Sequence, residues 1–350
     1  MRRVKCAVAA LTCLAAGCTL SGSHERDPAS VSPPRATRIV YSDSSRNGEL
    51  DVWIARVDGT RKRRLANGHT PVISPDGRWV VFQGGRGSEF EPGYYRDLML
   101  LSTSGGTPRL LARAADRPRW SPDSRRVAAI QHFDDRRRAL LMIDAETGAS
   151  TTVARGAIEF PTFSPRGDEI AYTRGAVFGK IDIYRSDADG SAERRVTDTG
   201  DSAFPVWGPR ELAFARIVPY RGWGAHEIWL VRPDGSGRRL LTKTPPVLLG
   251  QGITGLVPVA WSADGDALLA ELTNEFGGIP FAVNPRTGSV RRIGDYGYHA
   301  SANGLSRDGR FVLVSQTSVG LPDRSRIDVI GYSGGRTRLI ARASGASWNR

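Results

Sequence analysis

Cysteine is nearly absent. The 350-residue chain has three, Cys6, Cys13 and Cys18, all at its N-terminal end, so residues 19–350 can form no internal disulfide. No run reaches the ~20 consecutive apolar residues of a membrane-spanning helix, which excludes a polytopic membrane protein. Neither a heptad pattern nor glycine at every third position occurs, which removes coiled coil and collagen. Lysine is scarce as well: of 49 basic residues only Lys5, Lys62, Lys180 and Lys243 are lysine. Such a skew reads first as codon usage. The net charge of +13 is scattered apart from short runs at 61–64 and 136–138. A nucleic-acid binder would gather its charge on one face with stacking aromatics between, so no nucleic-acid partner is expected. Weak attraction to anionic lipid or cell wall fits better.

What is there begins with an address. Arg2, Arg3 and Lys5 form a basic n-region, and residues 6–17 are uncharged. Twelve residues are too few to span about 30 Å of hydrocarbon, so residues 1–17 read as an export signal. The segment Leu14-Ala15-Ala16-Gly17-Cys18 resembles the bacterial lipobox, with Ala15 where leucine is commonest. The resemblance implies acylation of Cys18, a signal peptide over 1–17 and lipid anchoring at the outer face of the cell membrane. Residues 18–36, rich in Ser and Pro, read as a lipidated tether to a domain at 37–350.

That domain repeats. Ile73-Ser74-Pro75-Asp76-Gly77 recurs as Trp120-Ser121-Pro122-Asp123-Ser124 and Phe163-Ser164-Pro165-Arg166-Gly167. Later copies are Trp207-Gly208-Pro209-Arg210, Trp261-Ser262-Ala263-Asp264-Gly265 and Leu305-Ser306-Arg307-Asp308-Gly309. The register serine, or its counterpart, thus falls at 74, 121, 164, 208, 262 and 306. A second motif interleaves: Asp51-Val52-Trp53 to Asp58-Gly59, Asp182-Ile183-Tyr184 to Asp189-Gly190, and Glu227-Ile228-Trp229 to Asp234-Gly235. Each is a strand, a tight turn and a second strand; Asp-Gly supplies the positive φ angles of a two-residue hairpin. Four-stranded units of about 44 residues, without helical periodicity, are propeller blades.

The pattern resembles the TolB-like β-propeller family over residues 37–350. The resemblance implies an all-β propeller and leaves function open, since such propellers serve translocation systems, peptidases and polysaccharide lyases. The second-motif turn occurs at Gly59, Gly105, Gly148, Gly190, Gly235, Gly288 and Gly334, whereas the first has six copies. Residues 38–66 therefore lack an innermost strand, which the segment around Trp348-Asn349 can supply. Seven blades closed by the C-terminal strand are expected, with six as the alternative.

Catalytic letter-matches fail in context. Gly331-Tyr332-Ser333-Gly334-Gly335 fits a nucleophile elbow, but no Asp or His comes after it in the chain. Gly250-Gln251-Gly252-Ile253-Thr254-Gly255 lies between blades instead of opening a helix. Residues 175–181 fall one short of a P-loop, and Asp187 and Asp189 lack the EF-hand glutamate.

A site is expected on the face carrying irregular insertions at 84–96, 216–226, 243–257 and 316–326. Its aromatics are Phe90, Tyr94, Tyr95, Tyr220, Trp223 and Phe276, with Tyr94, Tyr95, Tyr220 and Trp223 as partner-face candidates. Five residues before the register serine stand His69, Asp116 and Glu159, with His299 near the same ring. These four are the candidate ligand site, able to hold a polar ligand or, through two carboxylates and an imidazole, a divalent cation. The competing expectation pairs each acid with a nearby Arg117 or Arg119. No catalytic residue, resident metal or cofactor is expected. The function read from the sequence is a monomeric, non-catalytic binding module for a protein or polar, carbohydrate-like ligand; the alternative is a metal-assisted polysaccharide lyase.

Overall fold

A computed structural model describes residues 37–44, 50–84, 96–134, 137–175, 180–220, 223–245, 253–274, 277–296, 300–316, 325–335, 338–341 and 344–349. Cys18, the leader and the tether lie outside them, as do Phe90, Tyr94, Tyr95, Phe276 and His299. The described residues form strands and turns without a helix. The strands are grouped four by four, as the repeat predicts.

The first sheet joins strands far apart in the chain: β1 (Arg38–Ser44), β2 (Leu50–Arg56) and β3 (Arg63–Asn67), with β28 (Ser344–Trp348) on the far side of β1. Trp348 pairs with Ile39 and is buried with Tyr41 and Leu313. Three further sheets start from β4 (His69–Ile73), β8 (Ala115–Trp120) and β12 (Ile158–Phe163). The rest start from β16 (Ser202–Trp207), β20 (Ile253–Trp261) and β24 (Ala300–Leu305), and single bridges His226↔Gly255 and Gly278↔Ala300 link these into one sheet. Apolar residues of neighbouring sheets fill the seams; Val81, Leu98, Trp120, Ala129 and Leu141 make one such cluster.

The repeat motif explains the turns. Ser74 Oγ accepts the Trp79 N–H at 3.0 Å and donates to Asp76 Oδ1 at 2.6 Å, while Asp76 accepts the Arg78 N–H. The same wiring recurs at Ser121–Asp123, Ser262–Asp264 and Ser306–Asp308. In the third copy, Asp168 takes the role that Arg166 cannot. The Asp-Gly turns differ from expectation. Gly59 has φ +78° and Asp58 is not in that region, so residues 57–59 form a three-residue loop, with Arg56 N–H bonded to the Thr60 carbonyl. Asp58 instead uses its carboxylate to accept the Thr60 N–H.

One predicted insertion is regular. Residues 216–226 continue β17 (Leu212–Tyr220) and β18 (Trp223–Val231) as a long antiparallel pair ending at Tyr220↔Trp223.

Candidate functional site

The first strands of the sheets pack side by side, and one contact repeats between them. The residue two before the register serine meets the residue one before it on the next strand. Val72 O accepts Trp120 Nε1 at 3.1 Å, Thr162 Oγ1 accepts Trp207 N–H at 3.3 Å, Val206 O accepts Trp261 Nε1 at 3.2 Å, and Ser347 Oγ accepts Ile73 N–H at 3.3 Å. These strands carry proline at Pro71, Pro118, Pro161 and Pro205, tolerated because each is an edge strand with no ladder partner on its inner side.

Each proline comes after a residue in the left-handed region: Thr70 (φ +48°), Arg117 (+51°), Phe160 (+53°) and Phe204 (+54°). Register slips beside them, between His69 and Val72, Asp116 and Arg119, Glu159 and Thr162, and Ala203 and Val206, mark four equivalent β-bulges. A bulge reverses which side chain faces which side. The position of His69, Asp116 and Glu159 therefore turns toward the blades: His69 is buried, as are its counterparts Ala203 and Val257. The next residue turns outward instead, and Thr70 and Arg117 are exposed.

Asp116 and Glu159 are each engaged. Asp116 Oδ1 lies 3.0 Å from His132 Nε2, an ion-pair distance without hydrogen-bond alignment. Glu159 is bonded by Arg138 and sits 3.2 Å from Arg117 Nη2. The expected arginine pairing thus holds for Glu159, through Arg117. The described residues bring no three His, Cys, Asp or Glu side chains together in a metal-binding group. Tyr220 and Trp223 occupy the tip of the β17–β18 pair.

The feature sequence reasoning missed is a stacked ledge. The Arg117 guanidinium lies 4.5 Å over the Phe160 ring, whose centroid is 4.3 Å from that of Phe204, and Phe204 meets His226 edge-on at 5.7 Å. Burial lowers the His226 pKa to about 4, so the imidazole is neutral, and its Nδ1 makes no hydrogen bond among the described residues. Beside it Arg216 pairs with Asp201 at 2.7 Å and covers Trp229 at 5.0 Å. The readable signal was the repeated X-Pro pair one residue beyond the acids. Chemically, the ledge offers flat apolar faces rimmed by guanidinium, suited to stacking and to hydrogen-bond acceptors.

No family model matches the chain. An uncharacterized protein of Agrobacterium fabrum is 32% identical over 187 residues, covering 48% of this chain and 59% of that protein. Tricorn protease homolog 1 of Streptomyces coelicolor is 28% identical over 267 residues, 69% of this chain and 24% of that protein. The chain therefore spans less than two thirds of either relative. Among solved structures, TolB from Acinetobacter baumannii matches with a TM-score of 0.56 at 18% identity, covering 90% of this chain and 67% of that one. An oligogalacturonate lyase in complex with manganese matches at 0.58 and 16% identity, covering 87% and 83%. The fold is a β-propeller, like that of TolB and of the lyase. At these identities the likeness concerns the fold, which binding proteins and enzymes share.

Proposed function

We propose that this chain is an exported propeller lipoprotein, anchored through Cys18 to the outer face of the cell membrane, that binds a protein or polar ligand without transforming it. In this reading the seven first strands, β28 through β24, surround a central opening, and β28 closes the ring by pairing with β1. The pairing Ile39↔Trp348 and the repeated contacts between successive first strands support that arrangement. The observation that carries the binding role is the Arg117–Phe160–Phe204 ledge, built from backbone held in an uncommon region at equivalent places of neighbouring strands. Asp116 and Glu159 serve it by holding His132, Arg117 and Arg138 in place.

The test is affinity capture from detergent-solubilised membranes, together with binding to a panel of neutral and acidic glycans, using the full chain and a Phe160→Ser/Phe204→Ser variant. Wild type should retain a partner or glycan that the folded variant does not. Equal retention by both would contradict the ledge as the binding surface. The lyase alternative draws on the likeness to oligogalacturonate lyase alone; manganese-dependent formation of an unsaturated product from polygalacturonate would favour it.

A further inference from the structure

Arg119 is the one side chain near the ledge whose charge the fold leaves unanswered among the described residues. It stands two residues before register serine Ser121, at the position where successive first strands meet. Its counterparts in the other strands are Val72, Thr162, Val206, Ala260, Gly304 and Ser347, all neutral. Among the described residues nothing bonds or pairs with the Arg119 guanidinium. The carboxylates nearest along the chain and on the adjoining strand are committed elsewhere, Asp116 beside His132 and Glu159 between Arg117 and Arg138.

Solvent reaches Arg119, yet the surrounding protein desolvates it. Arg119 stands on an edge strand that packs beside the first strand of the neighbouring sheet, which places it at the opening proposed above. That desolvation, and then the like charge of Arg117, lowers the Arg119 pKa from its usual value. A guanidinium held in a confined space beside another cation, with no carboxylate supplied, costs stability and is complementary to an anion.

We propose that Arg119 is an oxyanion-binding residue inside the opening, taking the carboxylate or phosphate group of a small ligand that enters past Arg117 and lays a flat apolar body on the Phe160–Phe204 ledge. The planar guanidinium fork matches either group with two parallel hydrogen bonds. The inference rests on the ledge being a binding surface, and it adds a ligand charge and a second contact point.

The experiment is isothermal titration of the full chain, purified in detergent at low ionic strength, with benzoate, phenyl phosphate and neutral benzamide. One or both anions should bind, the preferred one identifying the group, and benzamide should bind at least about tenfold more weakly. Arg119→Met should weaken the preferred anion about tenfold or more while keeping or raising the melting temperature, because a repelled charge is removed. Arg119→Lys should keep part of the affinity and provides a folded control should the Met variant fail to fold. No binding by either anion, equal binding by benzamide, or unchanged anion affinity in both Arg119 variants would overturn the proposal. If Phe160→Ser/Phe204→Ser captures a partner as well as wild type while Arg119→Met still loses the anion, the ledge reading fails and the anion site stands.

Discussion

At the scale of single residues, the chain repeats a few polar devices whose work is geometric. Ser262 is buried, takes the Ala267 N–H at 2.9 Å and gives its proton to Asp264 at 2.6 Å. The Ser262 hydroxyl and then the Asp266 N–H hold the Asp264 carboxyl below its usual range. Ser262→Ala would leave a buried N–H without its acceptor, and should cost about 1–3 kcal/mol in urea unfolding. Glu271 is the opposite case. Burial against Gly278 pushes its carboxyl from 4.5 up to about 7, although the Ala302 N–H donates to it at 2.6 Å. Between these values the folded chain holds a proton that the unfolded chain has lost. The stabilising contribution is therefore full below about pH 4.5 and fades as pH rises to about 7, a change of about 3 kcal/mol. Glu271→Gln should flatten the stability curve over that interval and be the more stable form at pH 8. Parallel curves for the two proteins would contradict the burial. The serine turns were legible because their spacing repeats; Glu271 was not, since a lone glutamate in a strand shows nothing of its burial.

At the scale of elements, the Asp of the second motif ties its strand to the connection leading into the next sheet. Asp182 accepts from Thr197 Oγ1 at 2.9 Å and Gly200 N–H at 3.1 Å, and pairs with Arg195 at 2.5 Å. Asp51 and Arg64 repeat the ion pair at 2.7 Å. Removing the Asp182 carboxylate strands several donors at that connection. Asp182→Ala should therefore destabilise by about 3 kcal/mol, with amide exchange rising first around 195–201. Uniform exchange along the chain would argue against this local role. Strand order and the places of the turns could be read from the two interleaved motifs, but not the three-residue form of the Asp58-Gly59 turn. The facing of the innermost strand could not, because alternation is a parity argument and one bulge inverts it. The repeat register points to His69, Asp116 and Glu159, whereas their neighbours Thr70 and Arg117 carry the exposed position. Residues 216–226 exceed the repeat's minimum length and so read as an irregular insertion, yet they continue the strand pair, with Pro219 opposite Gly224.

At the scale of the whole molecule, the proposed arrangement joins a lipid-tethered address to a ring with one working mouth. Cys18→Ala should move the protein out of the detergent-extracted membrane fraction or leave its leader uncut; normal processing with membrane retention would contradict the anchor. Ending the chain before Ser344 removes Trp348 and the strand paired with β1. It should cost about 3–5 kcal/mol and lower the melting temperature by roughly 5–10 °C, whereas an unchanged melting temperature would argue against closure. The most direct test of the central claim places a photoreactive p-benzoylphenylalanine at Phe204 on the ledge and, as control, at the exposed Leu240 on an outer strand. After irradiation of intact cells, mass spectrometry of the recovered protein should find a discrete adduct from position 204 and none from 240. Adducts from 240 alone, or the same adducts from both, would contradict a binding surface at the mouth of the propeller.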